Sequence, residues 1–472
     1  MANIKKIPGT HLKNNISKRD ALKAFMLLTT GVFQLVHGFN PLFAKSSSKN
    51  KLKGERVVIV GAGVSGLVAA NLLKQTSAEV IILEATDYIG GRVKTDWSLG
   101  APFEYGAGWI HGPSPDNPIK QLADEAGGEY FITDDDSIEL LDISGNDMSS
   151  EIWDEIEEIW QEVFYEIYDD PKVSFLDLIN EYDETIWNDP NVRWIFSAFT
   201  EFDFGGPLNQ ISASLTNQMS AFPTEDVILT NGYNKVVDLL SKGIDITLNS
   251  AVKKIDYQKE EIFVHTNDTS YTCDYLICSV PLGVLKAGKI KFNPPLPNFM
   301  ANSIKNIGFG SVTKLAIKFN DQFWDDDVQY YYTVVKQNGR WPIWMNYRTF
   351  SDEKILLGLC VGEYALKADL MSDKEILEDA LEVLKTVWED DVGSVKKIIR
   401  TSWLTEPYFK GAYSFPSTQS SEEDFENFSE SLNDQIYFCG EHTNLQYLAT
   451  THGALMSGIR AAKEVIKADG SV

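Results

Sequence analysis

Arg56-Val57-Val58-Ile59-Val60-Gly61-Ala62-Gly63-Val64-Ser65-Gly66-Leu67 decides the fold. Arg56 to Val60 is a short apolar, β-branched run, the composition of a buried parallel strand. Gly61 lets the chain turn tightly. Gly63 leaves backbone N–H groups open to a pyrophosphate, and Gly66 lets the next helix pack close to the sheet. Leu67, Ala70 and Leu73 place that helix over Val64 to Gln75. Its first turn, which includes Ser65, offers free N–H groups and a partial positive charge to phosphate. The next strand, Glu79 to Leu83, ends in Glu84, 18 residues after Gly66, where a carboxylate can accept hydrogen bonds from a ribose. Strand, glycine turn, helix and acid in this order predict a dinucleotide-binding α/β unit. This half alone does not separate NAD from FAD.

A second half lies near the other end of the chain. Tyr437-Phe438-Cys439-Gly440-Glu441-His442-Thr443 reads as a strand end, followed by Thr450-Thr451-His452-Gly453 and a helix from Ala454 to Lys467. Gly440 and Glu441 place backbone where a ribityl chain or phosphate would run. The N-terminus of the last helix can face the electron-rich edge of a flavin ring. The two halves together point to FAD and to a chain that leaves its nucleotide-binding domain and returns to it.

Gly90-Gly91-Arg92-Val93-Lys94-Thr95 resembles the second signature of the flavin amine oxidases, whose arginine and nearby backbone hold the FAD pyrophosphate. The resemblance extends over nearly the whole chain beyond residue 55. Tyr105-Gly106-Ala107-Gly108-Trp109-Ile110-His111-Gly112 is similar to the polyamine-oxidase segment beneath the flavin ring. Ser279-Val280-Pro281-Leu282 and Ile307-Gly308-Phe309-Gly310 resemble connecting motifs, and Lys314 stands where the family's active-site lysine occurs. Trp403 and Gly411-Ala412-Tyr413-Ser414 resemble the segment that supplies an aromatic wall, and Val252 stands where the family contacts adenine. Cys439 departs from the usual alanine. No cysteine lies between Gly440 and Gly453, which implies noncovalent FAD. Trp109 and His111 follow Gly106-Ala107 without the arginine with which L-amino-acid oxidases clamp a carboxylate, which argues against an amino-acid substrate.

The resemblance implies an α/β, two-domain flavin amine oxidase fold. A discontinuous Rossmann-like FAD-binding domain takes residues 55–112, 225–292 and 403–468. An α+β substrate-binding domain with a mixed sheet takes 113–224 and 293–402. Glu151 to Asp170 repeats Ile152, Ile156, Ile159, Trp160, Val163 and Phe164 at helical spacing, the pattern of a core-facing helix. Ala316 to Phe319 and Ile355 to Val361 read as sheet strands.

At 472 residues the chain has length for two cores. The formal charge of −26 excludes a basic nucleic-acid footprint and suits cationic ligands by steering. The four cysteines show neither a disulfide framework nor metal-ligand spacing. Residues 1–54 invert the balance, with ten Lys or Arg and one acid. Lys18-Arg19-Asp20 precedes the apolar stretch Ala24 to Val36 and then Pro41-Leu42-Phe43-Ala44. This layout reads as an export signal over 1–44 with a linker over 45–54. It resembles a bacterial twin-arginine signal with Lys18 in place of the first arginine, leading to the periplasm or outside. A cytoplasmic protein with a basic tail is the alternative, and no stable transmembrane anchor is expected.

For chemistry, the resemblance implies hydride loss from the carbon next to nitrogen to flavin N5, with O2 as acceptor and H2O2 released. Lys314 would hold a water near N5, and a lowered pKa would let it aid reoxidation. Tyr413, Trp403, Trp109 and His111 would form the walls around the amine. Glu201 and Asp203, read as alternating in an extended piece, would put two carboxylates on one side for a distant ammonium of a polyamine, with Glu225 and Asp226 as weaker candidates. The cofactor-binding set is Gly61, Gly63, Ser65, Gly66, Glu84, Gly91, Arg92, Gly106, Ala107, Trp109, Val252, Trp403, Gly440, Glu441, Thr450 and Thr451. The alternatives are a monoamine oxidase and a non-catalytic flavin-binding protein on the same fold. Which amine reacts, which bond is cut and how many subunits assemble stay open.

Overall fold

The computed structural model describes residues 51–165, 169–258 and 260–468. The export reading of 1–44 and most of the 45–54 linker lie outside the described residues. No helix among the described residues is long and apolar enough to cross a membrane.

The first half folds as the glycine motif dictates. Arg56–Val60 and Glu79–Leu83 pair in parallel, and Val64–Lys74 is the helix between them. Gly61 takes φ +107°, a conformation side chains avoid. A Cβ on Gly66 would meet the Gly61 carbonyl oxygen at 2.2 Å, so the helix sits as close as glycine permits. The sheet gathers five parallel strands in the order Ile436–Phe438, Tyr275–Cys278, Arg56–Val60, Glu79–Leu83, Asp245–Thr247. Three separated stretches of chain thus build one sheet. The closing helix Thr451–Ala468 packs on Val64–Lys74, where a Cβ on Gly458 would lie 2.3 Å from the Ser65 carbonyl oxygen.

The expected domain boundary at 112 is crossed. Asn117 caps the helix Pro118–Glu125 by accepting from the Ile119 and Lys120 N–H groups. Ile119, Leu122 and Ala123 then bury with Val57, Leu67 and Ile459. Tyr130–Ile132 pairs antiparallel with Val227–Leu229. The chain stays on the dinucleotide-binding body until after residue 132, because that helix's apolar face has its partner there.

The other body carries a six-stranded mixed sheet in the order Val395–Arg400, Thr313–Phe319, Ile355–Cys360, Ile343–Asn346, Tyr330–Thr333, Ile138–Leu141. Its pairs are antiparallel except the last, which is parallel. Leu315, Ile317 and Phe319 bury one face against the helix Asp373–Trp388 through Ile376, Ala380, Val383 and Leu384. Alternation puts Lys314 and Ala316 on the opposite face. The amphipathic segment forms the helix Ser150–Phe164, with Ile156, Ile159, Trp160, Val163 and Phe164 buried. It stops short of the expected Asp170.

Candidate active site

A cavity of about 520 Å³ runs from the glycine turn to Lys314 on the mixed sheet. At the first end it is lined by Gly61, Gly63, Ser65, Glu84, Arg92 and Val252. A Cβ built on Gly63 would meet nothing within 4 Å, so the backbone here faces open space. The N-termini of Val64–Lys74 and Thr451–Ala468 both reach the cavity, through Ser65 and through Thr450 and Thr451. Such helix ends favour phosphate or a polar ring edge.

The sequence places Glu84 for a ribose, and its carboxylate already has partners inside the protein. One oxygen accepts the Ala62 N–H at 2.7 Å, and the other accepts the Thr86 N–H and hydroxyl at 2.9 and 2.8 Å. An ionised carboxylate has about four acceptor positions, so capacity remains. Arg92 does not stand alone either. Its guanidinium donates to Glu441 and to the Ala412 carbonyl, at 2.8 and 2.9 Å. Burial works against the Glu441 charge, but Arg92, His442 and Ser414 together outweigh it and hold the carboxyl below its usual range. The Ser414 hydroxyl donates to the other Glu441 oxygen. Sequence reasoning gave Glu441 a backbone role, yet its side chain is what ties the two cofactor motifs together.

The far end is aromatic. Trp109 and Phe202 meet edge to face with ring centroids 6.2 Å apart. The Tyr413 hydroxyl donates to the Phe202 carbonyl at 2.6 Å, and the Trp403 indole N–H donates to the Tyr105 carbonyl at 3.2 Å. Trp109, Phe202, Tyr413, Trp403 and Lys314 all line the cavity. Lys314 is 7 % exposed, not a surface charge. Its ammonium donates to the Gly106 and Glu104 carbonyls at 2.6 and 3.0 Å and lies 5.6 Å from the Trp109 ring centroid. Burial pushes its pKa down to about 8, against the pull of Glu104.

Glu104 was not singled out from the sequence. Its carboxylate accepts the Thr95 hydroxyl and the Tyr233 N–H, the latter at 2.8 Å, and burial raises its pKa to about 7. An acid two residues before Gly106, inside an otherwise apolar run, was the available signal.

Glu201 and Asp203 part company. The expectation of an extended, alternating piece is wrong, because 190–204 is continuously helical, with a π turn at Ser197–Glu201 and Phe202–Phe204 after it. Gly205, at φ +70°, ends it. In a helix, residues two apart point in different directions. Asp203 lines the cavity. Glu201 is 2 % exposed and turned inward, where it accepts from Leu208 N–H, the Ser197 hydroxyl and the Asn338 amide at 3.2, 3.2 and 3.0 Å. Burial raises its pKa to about 7. It is a structural carboxyl, not a pocket anion. Asp226, the weaker candidate, does line the cavity and pairs with His111.

The cavity chemistry fits a flavin dinucleotide. Beyond the open backbone at Gly63, the Trp109 indole N–H and His452 Nε2 are buried in its lining with no hydrogen-bond partner among the described residues. A bound ring with a polar edge would meet such orphaned atoms. Gly106, Ala107, Gly440, Glu441, Thr450 and Thr451 line the same space. Gly66 does not, since its role is the helix contact.

The family model for flavin-containing amine oxidoreductases matches residues 185–466. A model for NAD(P)-binding Rossmann-like domains matches residues 59–126. Polyamine oxidase 4 of Oryza sativa subsp. japonica is 30 % identical over 438 residues, covering 87 % of this chain and 88 % of the relative. Lysine-specific histone demethylase 1B of Mus musculus is 29 % identical over 477 residues, covering 93 % of this chain and 55 % of the demethylase. Among solved structures, a putrescine oxidase double mutant redesigned in cofactor binding has a similar fold. Its TM-score is 0.72 at 21 % identity, covering 88 % of this chain and 99 % of that one.

Proposed function

Because the chain belongs to the family of flavin-containing amine oxidoreductases, with FAD as cofactor, we propose that it oxidises a C–N bond of a polyamine or related amine, with O2 as acceptor and H2O2 as product. The observation that carries this reading is buried Lys314 beside Trp109 and Tyr413 in a cavity that also takes Asp203 into its lining. Bound FAD supplies the two-electron acceptor. The amine loses two electrons and two protons to become an imine, and water cleaves the imine to an aldehyde and an amine or ammonia. The chain's part is to bind, orient and desolvate. Trp109, Phe202 and Tyr413 exclude water and favour a cation approaching their faces. Lys314, held by two backbone carbonyls, keeps a proton donor fixed at that wall.

An anaerobic amine panel tests the reading. Spermidine or spermine should bleach the yellow protein without oxygen, and mass analysis of products should show which bond was cut. Bleaching by monoamines alone would favour a monoamine oxidase, and no bleaching by any amine would favour a flavin-binding protein.

FAD is expected to be held without a covalent bond. All four cysteines are buried and none is among the described residues that line the cavity. Acid precipitation should therefore leave free FAD in the supernatant. Flavin that pellets and stays on proteolytic peptides would contradict this. The export of residues 1–44 is a separate proposal, tested by N-terminal sequencing of the protein from its host.

A further inference from the structure

We infer that Asp226 is a positioning residue for amine recognition: its buried carboxylate fixes His111 so that Nε2 faces the cavity as an acceptor for an N–H of the bound amine. This inference rests on the amine-oxidising reading above and adds the residue that sets the polarity of one wall.

Asp226 is 2 % exposed. It immediately precedes the strand Val227–Leu229, and its own carbonyl accepts the Thr133 N–H and hydroxyl at 2.9 and 3.0 Å. One carboxylate oxygen accepts the Gly112 N–H at 3.1 Å, and the other lies 2.6 Å from His111 Nδ1. Main chain and side chain are both tied down, so the carboxylate cannot follow a moving imidazole.

A carboxylate only accepts. Nδ1 of His111 must therefore carry the hydrogen, and a neutral imidazole then keeps its lone pair on Nε2. The His111 backbone is fixed as well, since its carbonyl accepts the Asn117 side-chain amide at 2.9 Å. Its side chain is 46 % exposed and lines the cavity, so Nε2 is the nitrogen a ligand meets.

The neighbour strengthens the pattern. His452 is buried in the same wall, with its ring edge-on to Phe222 and Tyr447 at 5.2 and 5.1 Å. Burial pushes its pKa down to about 3, so it adds no positive charge. The Asp226 carboxylate, the uncharged His452 and, in its neutral form, His111 make a wall of lone pairs. Its complement is a donor-rich cation or a neutral amine, not an anion.

The test is Asp226→Asn in the holoenzyme. The asparagine oxygen can still accept from Gly112, but its NH2 then faces Nδ1. Nδ1 must become the acceptor, the hydrogen moves to Nε2, and the cavity-facing atom turns from acceptor to donor. Nitrogen NMR of protein labelled at histidine, with His111→Gln to assign the signal, reads the tautomer directly. The wild type should show hydrogen on Nδ1 and the variant hydrogen on Nε2. For an amine that bleaches the wild type, the KM of the variant should rise by about tenfold, with the smaller change in kcat and FAD content retained. Asp226→Glu, which keeps a carboxylate, should recover part of the KM.

A wild-type His111 with hydrogen on Nε2 would overturn the inference whether or not the variant folds. So would an unchanged KM, or no recovery by glutamate. If the tautomers behave as expected and no amine bleaches the protein, the amine-oxidising reading has failed and the placement of His111 by Asp226 has not.

Discussion

Replacing Lys314 by methionine is expected to leave FAD bound and to slow turnover at least about tenfold, or about 1.4 kcal/mol of barrier. The reason is position and charge together. The ammonium is clamped by the Glu104 and Gly106 carbonyls and faces Trp109, so its distance from the reacting region is set by backbone. Methionine fills similar space without a donor. Rapid-mixing measurements of bleaching by amine and of colour return in air separate the two half-reactions. Unchanged rates in both would remove Lys314 from the chemistry. The pH dependence gives a second reading. Burial lowers the Lys314 pKa to about 8 from 10.5, so a rate set by its charge should inflect near 8, and the variant should lack that inflection. Stability carries the same sign. Between these values the unfolded chain binds the extra proton, so wild-type stability gains with rising pH across the window and is lowest below it. Urea unfolding at the two ends of the window should show this increment in the wild type and not in the methionine variant.

What was legible in the sequence was what local geometry dictates. Gly61 is needed at φ +107° whatever surrounds it, and the helix behind it follows from the spacing of Leu67, Ala70 and Leu73. What covered Lys314 was not legible, because Glu104 and Gly106 come to it from some 210 residues away. The same holds for Arg92 and Glu441, 349 residues apart, whose ion pair joins motifs that lie far apart along the chain. Asp226 looked weak because nothing local explains it. Its meaning comes from His111, 115 positions earlier. Glu201 failed for another reason. Thr200-Glu201-Phe202-Asp203-Phe204 alternates as a strand would, and tertiary packing of Val192, Trp194, Ile195 and Phe196 carried a helix through it.

The site that emerges is polarised. Arg92 is matched by Glu441 near the cofactor motifs, while the amine end combines one buried lysine with two acids in the lining, Asp203 and Asp226. A monoamine needs no second anion. A di- or triamine does, because one nitrogen must be neutral to react while another stays charged.

Asp203→Asn is therefore expected to raise the KM for spermidine or spermine far more than for a monoamine. Asp203 is the middle residue of the short helical turn Phe202–Phe204 and lines the cavity, and its charge adds to burial in disfavouring the Tyr413 phenolate. Tyr413 is in turn fixed to the Phe202 carbonyl. The carboxylate thus lines the cavity beside the aromatic wall. Losing a charge-assisted hydrogen bond to an ammonium costs about 1.5–3 kcal/mol, or roughly ten- to a hundredfold. Glu201→Gln is the control. That carboxyl is buried behind the wall on Leu208, Ser197 and Asn338, so its loss should shift stability without separating polyamines from monoamines. Salt supplies a further check. If water reaches the ion pair, screening already weakens it in the wild type, and the penalty of the asparagine should shrink as ionic strength rises. An equal effect on monoamines and polyamines, or none on either, would return Asp203 to a solvated acid at the cavity edge. The monoamine reading would then stand, because the distant charge of a polyamine would have no partner on this helix.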